Sequence, residues 1–346
     1  GSALQVGPQS AGAEPGPACY EQGGTDPTCT DANVVLGYIN PDYFLGGRRE
    51  INAEFSRRAI EGLIAKPLGL TVPEAAHGIF RIINNNMVDA IRVVSIERGI
   101  DPRHYSLVVG GGAGAIHAGM LGRTLGMKTA IIPRYSGVFC SFGMIVSDVR
   151  HDYMQALATN SERFDLEGTN KVIADLERKA LDDMIEEGFP EGEVTLTRFA
   201  DAKYPAQIHE LTVPLRADGP LTEGHISEIA EAFHALHERM FSYNARESSV
   251  DFFHWRVIAH RAVQSPQTPE LPETGEPITK VQKGTRRVYF GDIDDYRDTK
   301  IYDGDRLKRG MMITGPAVLE QQNTTIVVFP GQKLEVNEYG DFVLEL

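Results

Sequence analysis

The sequence is short of cysteine, of basic charge and of long apolar runs, and each shortage removes a class of function. Three cysteines, Cys19, Cys29 and Cys140, stand in 346 residues. They show no C-x-x-C spacing and no disulfide density, which excludes a redox dithiol, a cysteine-held zinc site and a disulfide scaffold, and points to a reducing cytoplasm. No apolar stretch reaches the roughly 20 residues of a bilayer span. Basic residues are outnumbered: 34 Lys and Arg against 48 Asp and Glu leave a net charge of −14. Nucleic acid and anionic membrane are therefore poor partners, because both need a basic footprint. Familiar catalytic signatures are missing too, with no G-x-S-x-G elbow, no GK[ST] ending of a P-loop and no GxGxxG spacing.

What is present is ordinary globular material, 42% apolar and 24% charged, long enough for two or three domains. Residues 1 to 30 are rich in glycine and proline, either a flexible linker or a loop docked on something larger. The chain opens without a methionine, which reads as an internal start or a cloning scar at Gly1-Ser2. Thr30-Asp31-Ala32-Asn33 reads as a helix cap and first turn. Apolar residues at Phe55, Ala59, Ile60, Leu63 and Ile64 predict a helix over 53–65. Thr71 and Glu74 form a capping box, with Pro73 in the first turn, for a helix that runs to about Arg98 and stops at Gly99. Asn84-Asn85-Asn86 interrupts its apolar stripe.

The most informative stretch is LVVGGGAGAIH, residues 107–117. A strand hands over to a helix through Gly110, Gly111, Gly112, Ala113 and Gly114, and the strand TAIIP follows, so the unit is α/β with a buried parallel pair. Two readings compete: the glycines admit an anion or a flat base against the backbone, or they only let helix and strand pack closely. His117, in the first helical turn, is either a ligand contact or a structural histidine. Asp31 and Asn33 are either cap residues or polar groups at a site. Asp148, Arg150, His151 and Asp152 read as a solvated exit. His234 and His237 have i, i+3 spacing without a third metal ligand. Further on, a charged helix, two strands, a helix from about 222 to 240 and the strand FFHWRVIAHRAV suggest an α+β layer. A Pro/Glu/Thr-rich linker then precedes short strands from 285 onward. The expected segments are a nucleotide-binding α/β lobe over 1–154, an α+β domain over 155–265, a linker over 266–284 and a β-rich module over 285–346.

Several stretches together go further. SAGAEPGPACY, GGTDPTCTDANVVLGYINPDYFLGG, GGGAGAIHA and SGVFCSFGMIVSDVRHDY resemble the hydantoinase A/5-oxoprolinase family, which includes subunits of ATP-dependent hydantoinases, lactamases and acetone and acetophenone carboxylases. AKYPAQIHELTVP and IYDGDRLKRGMMITGPAVLEQQNTTIVVFPG resemble its C-terminal regions. The resemblance implies half of an actin/sugar-kinase/Hsp70-like ATPase fold, the C-terminal half, followed by a small α+β domain and a C-terminal β-module. It implies ATP and Mg²⁺ as cofactors, with the phosphate- and magnesium-binding motifs in an N-terminal half that nothing here matches. By that carry-over Gly110, Gly111, Gly112, Ala113 and Gly114 line the base and ribose, with His117 nearby; Asp31 and Asn33 are counted with them as candidate cofactor contacts on their polarity alone. The implied partners are that N-terminal half, a hydantoinase B-type subunit and a small-molecule substrate. The implied reaction is ATP-dependent ring-opening of a cyclic amide, with ketone carboxylation and a purely structural assembly role as the alternatives.

Overall fold

The computed structural model of the chain describes residues 4–263 and 267–346, so the reading of Gly1-Ser2 lies outside the described residues. Caps and turns set the order of the elements. The Gly/Pro-rich start is a docked loop: Asn86 Nδ2 in a later helix donates to the Val6 carbonyl at 3.0 Å, and Asn52 N donates to the Cys19 carbonyl at 2.9 Å. Helix α1 (Cys29–Val35) begins at Thr28, whose hydroxyl and Asp31 form a reciprocal capping box. The cap thus sits two residues before the expected Thr30, and Asp31 is the third helical residue. Helix α2 (Ala53–Ile60) continues through a π turn, Glu61–Ala65, and a last turn, Lys66–Leu68, closed by Gly69 at φ 67°.

Helix α3 (Val72–Val94) starts with the expected Thr71–Glu74 box. It stops four residues early because Ser95 Oγ donates back to the Ile91 carbonyl at 2.6 Å; a 3₁₀ turn, Ile96–Arg98, then leads to Gly99. The asparagine triplet is tolerated because Asn84 Nδ2 bonds the Phe80 carbonyl one turn back, at 2.7 Å, and Asn86 anchors the opening loop. Strand β1 (Leu107–Val108), helix α4 (Gly114–Leu125) and strand β2 (Thr129–Ile132) follow, and β1 and β2 pair in parallel as expected. Helix α5 (Phe139–Val146) is short and apolar with no buried residue.

Strand β3 (Val149–Asn160) was not expected; its first residues read as a polar exit. It is a strand because it pairs antiparallel with β6 along nearly its whole length. Its charges find partners across the sheet: Asp152 takes Arg256 of β6 at 3.0 Å, and Asp148 just before it takes His260 at 2.8 Å. Helix α6 (Leu166–Glu186), strands β4 (Thr195–Lys203) and β5 (Leu211–Leu215), helix α7 (Glu223–Phe241) and strand β6 (Asp251–Arg261) complete a four-stranded sheet of order β3-β6-β4-β5. Both helices contribute to a core with the sheet, centred on Phe233, Phe252 and Trp255. His234 and His237 are spent there. Tyr204 Oη and His234 Nδ1 share a hydrogen bond at 2.6 Å, and His237 bonds Gln207 and the Tyr243 carbonyl.

Seven strands remain: β7 (Gln282–Phe290), β8 (Asp295–Asp303), β9 (Met312–Thr314), β10 (Ala317–Glu320), β11 (Thr325–Val328), β12 (Lys333–Val336) and β13 (Phe342–Glu345). They do not form a module of their own. β13, β12 and β9 extend the first parallel pair into a sheet of order β1-β2-β13-β12-β9, and β11-β10-β8-β7 make a second sheet. Residues 267–281, expected as a free linker, are also pinned: Leu271 N donates to the Glu338 carbonyl at 2.7 Å, and Val281 is buried. The chain accordingly divides into two units, Gly1–Met144 with Gln267–Leu346, and Ile145–Pro266. The physical reason is long-range pairing. β13 matches its apolar face to β2 from Phe342↔Ile132 to Glu345↔Thr129, a register no local pattern announces. No helix among the described residues is long and apolar enough to cross a membrane.

Candidate functional site: a cavity beside the glycine turn

In the first unit, β1 runs out at Val109, whose N–H still bonds the Ile131 carbonyl, and the backbone turns at Gly111 with φ 93°. An L side chain rarely adopts that angle, so glycine is required there. The remaining glycines do different jobs. A Cβ on Gly110 would sit 3.0 Å from the Phe139 ring, one on Gly114 3.0 Å from Val109, and one on Gly112 2.9 Å from the Asn323 carbonyl, whereas one on Gly111 would meet nothing within 4 Å. Close packing thus accounts for three of the four, and open space lies at the fourth. Ala113 is the N-cap of α4 and supplies no side-chain acceptor to the helix's first N–H groups.

Beside this turn lies a cavity of about 200 Å³. Gly112, Ala113 and Ile116 form one wall; Tyr43, Phe44 and Ile39 form an apolar wall; Asn40 and the loop Gln321–Thr324 supply amides and a hydroxyl. Thr324 Oγ1 donates to the Gly112 carbonyl at 2.9 Å, tying loop to turn. The volume is below the ~300–1,000 Å³ of drug-sized pockets. It suits one flat ring system.

Two features give the cavity its chemistry. Glu320, 2% exposed, accepts from Lys283, from Arg286 Nη1 at 2.6 Å and from Asn40 Nδ2 at 3.0 Å. Burial pushes its carboxyl up, but the bonds from Lys283 and Arg286 outweigh burial and hold it below the ordinary carboxylate range. The Lys283 ammonium also lies 3.4 Å from the centre of the Tyr43 ring, so one network fixes both the floor and the aromatic wall. Gln321 is the second feature. Its Nε2 donates to Asp305, a carboxylate that can only accept, so the amide orientation is settled; Oε1 is then left buried with no partner among the described residues. A buried acceptor without a donor costs about 1–3 kcal/mol, and a ligand N–H would relieve it.

The residues expected at the site separate into two groups. Gly112 and Ala113 line the cavity, and Gly110, Gly111 and Gly114 build the turn that carries them. His117, Asp31 and Asn33 do not line it. His117 is buried on the other side of α4, stacked on Phe80 at 5.0 Å. Asp31 is fully buried and accepts from Ala18 N, Cys19 N, Thr28 N, Thr28 Oγ1 and Ser56 Oγ. Asn33 is buried and gives its carbonyl to Tyr38 N and Ile39 N. Sequence reading missed Asn40, Tyr43, Phe44, Glu320 and Gln321. The dense amide and hydroxyl run QQNTT between two apolar strands was the available signal.

Burial lowers the His117 pKa from 6.5 to about 4. Between those values the unfolded chain binds a proton that the folded chain refuses. Stability is therefore complete above pH 6.5 and falls as the pH drops toward 4, by up to about 3 kcal/mol. Urea midpoints at pH 7 and pH 5 should differ less in His117→Gln than in the wild type; equal differences would contradict this.

Among the described residues one group could hold a metal, Asp201, Glu210 and His254 in the second unit, with ligand atoms within 4.8 Å of one another. Arg256 Nη2 already contacts Asp201 Oδ2 at 3.3 Å and supplies the positive charge there. In the cavity the sole carboxylate, Glu320, is consumed by two cations, so the cavity does not suit Mg²⁺.

Comparisons with known proteins agree with this architecture. The hydantoinase/oxoprolinase family model matches residues 1–153, and the hydantoinase/oxoprolinase C-terminal domain matches 159–345. The alpha subunit of caprolactamase from Pseudomonas jessenii is 37% identical over 99% of this chain and 49% of its own length. The crystal structure of that ATP-dependent caprolactamase superposes with a TM-score of 0.80, over 99% of this chain and 50% of the other. The acetophenone carboxylase gamma subunit of Aromatoleum aromaticum is 34% identical over 100% of this chain and 48% of its own. The nucleotide-free acetone carboxylase structure, at 28% identity, also gives 0.80 over 99% of this chain and 50% of that one. The chain spans about half the length of these relatives. On the strength of the two family matches, which together take in nearly every residue, the chain belongs to the hydantoinase/oxoprolinase family.

Proposed function

We propose that the chain is the base-binding part of an ATP-dependent enzyme that activates a cyclic amide for ring-opening hydrolysis. The observation that carries the nucleotide reading is the orphaned Oε1 of Gln321, a residue that lines a ring-sized cavity beside an uncapped helix start. Adenine offers an exocyclic amino donor to that oxygen and a face to Tyr43 and Phe44. The turn at Gly111, open on its outer side, leaves room for ribose and phosphates beyond the cavity. ATP would phosphorylate the amide oxygen and release ADP. Water would then add to the activated carbon, the protonated ring nitrogen would leave as the C–N bond breaks, and a second water would hydrolyse the resulting acyl phosphate to carboxylate and phosphate. The chain's own residues hold the base and fix its register; Lys283 and Arg286 act through Glu320 to keep the aromatic wall in place. Mg²⁺ and the phosphate contacts belong to a further half of the ATPase fold, and hydrolysis to a hydantoinase B-type partner subunit, in the cytoplasm that three free cysteines suit.

A second reading, a ketone carboxylase subunit, is favoured by the near-equal identities to caprolactamase and to acetophenone carboxylase, 37% and 34%. Turnover by the assembled enzyme separates them. ATP consumption with caprolactam, a hydantoin or 5-oxoproline and no bicarbonate supports the first reading. Consumption that requires a ketone and bicarbonate replaces it with the second. A complex that assembles but consumes no ATP with either substrate class reduces the chain to an assembly module.

A further inference from the structure

The five-stranded sheet of the first unit stops abruptly at β1. Val109 N donates to Ile131 O, so at this level the groups of Ile131 face β1. In a parallel ladder the intervening residue, Val108, then turns its own N–H and C=O away from β2. Among the described residues no strand lies on that side, because β1 is the end of the order β1-β2-β13-β12-β9. The sequence here is apolar on both faces, as parallel strands buried on both sides are, yet Val108 is 55% exposed. Val94, Ile96 and Tyr105, from the end of α3 and the segment leading into β1, are 56%, 51% and 60% exposed. A bare parallel edge that carries an exposed apolar side chain, led into by the exposed Tyr105, is a pairing template.

We infer that the open edge of β1 is a docking surface for a strand from the half of the polypeptide that the relatives possess and this chain does not include, pairing through Val108 N–H and C=O and covering the exposed Val108 side chain. Length argues for that occupant, since the chain spans 49% of the caprolactamase subunit and 50% of the solved chain. Shape argues against a second copy. β1 has two residues, and two such stubs side by side would exchange too few main-chain bonds to hold a dimer. The inference rests on the proposal of a further half and is independent of the nucleotide assignment.

The test compares the chain alone with the complete reading frame it comes from, by residue-resolved hydrogen exchange. In the chain alone the Val108 amide should exchange within about tenfold of a free peptide, while Val109 is strongly slowed. In the longer polypeptide Val108 should slow by more than about 100-fold. Val108→Asp should abolish that protection, and Ile208→Asp, at an 86% exposed position of the second unit, should leave it intact. An unprotected Val108 in the longer polypeptide overturns the inference. So does a reading frame no longer than this chain, or a dimer of the chain alone that Val108→Asp dissolves. Failure of ATP binding with Val108 still protected would sink the nucleotide reading and leave this one standing.

Discussion

Asp31→Ala should loosen residues 18–28 of the opening loop from the first unit and cost at least about 4 kcal/mol. Five donors converge on that carboxyl group: two hydroxyls at 2.7 Å, the amides of Cys19 and Thr28 at 2.9 Å, and Ala18 N at 3.2 Å. Each is buried or half-buried, and each stranded donor costs about 1–3 kcal/mol unless the loop opens to water. Opening is the cheaper response for the exposed, turn-rich stretch that follows Ala18, Cys19 and Tyr20, which themselves pack in the core. Cys19 reports it. Burial and the neighbouring Asp31 push its thiol up to about 12, so the wild-type group is unreactive. In Asp31→Ala it should react with a disulfide reagent within minutes at pH 8, and Asp31→Asn, which keeps one acceptor oxygen, should fall between. A variant with Cys19 still protected and an unchanged urea midpoint would show that the five bonds do not hold the loop.

Gln321→Leu should erase the enzyme's preference for ATP over inosine triphosphate. The two nucleotides differ at the purine 6-position, amino in one and oxo in the other. At the 6-position itself only the amino group can donate to Gln321 Oε1; the donor of inosine, N1–H, lies one ring atom away and reaches that oxygen only if the base shifts. A buried hydrogen bond of this kind, set against a mismatched pair of acceptors, is worth about 1.4–3 kcal/mol, or roughly 10- to 100-fold in affinity. Wild type should therefore favour ATP by that factor, and Gln321→Leu should lose it through weaker ATP binding with inosine triphosphate little changed. Ala113→Trp, which places a large ring in the 200 Å³ cavity, should weaken both. Equal affinities in the wild type, or a preference that survives Gln321→Leu, would remove Gln321 from the site.

The local architecture was legible where its causes are local. Thr71–Glu74 announces the start of α3, and the run LVVGGGAG announces a strand, a turn and a helix, all of which form. The site was legible only on the side the glycines build. Its other walls, Tyr43 and Phe44 on one side and Glu320 and Gln321 on the other, are brought to Gly112 from far along the chain, and no spacing rule links them. His117 illustrates the opposite error. It follows the turn closely in sequence, yet a helix advances about 100° per residue. Ile116 therefore meets the cavity, while His117 faces Phe80. Asp31 and Asn33 were polar residues in an apolar stretch. The Asp31 side chain gathers the N–H groups of the opening loop, whereas Asn33 accepts from Tyr38 and Ile39 only through its main-chain carbonyl, and its side-chain Oδ1 is buried with no partner among the described residues. The C-terminal strands read correctly as strands and wrongly as a module, because register with β2 is a property of two distant segments together.

The central claim is that the purine of ATP lodges between the Gly112–Ala113 turn and the Gln321–Thr324 loop. Photolabelling the complete polypeptide with 2-azido-ATP, followed by peptide mapping, tests it most directly. The label should fall within residues 39–45 or 320–325 and be displaced by ATP. Displaceable label found instead only in the groove of the second unit lined by Leu215, Ile229 and Leu236, or nowhere in these 346 residues, would contradict it.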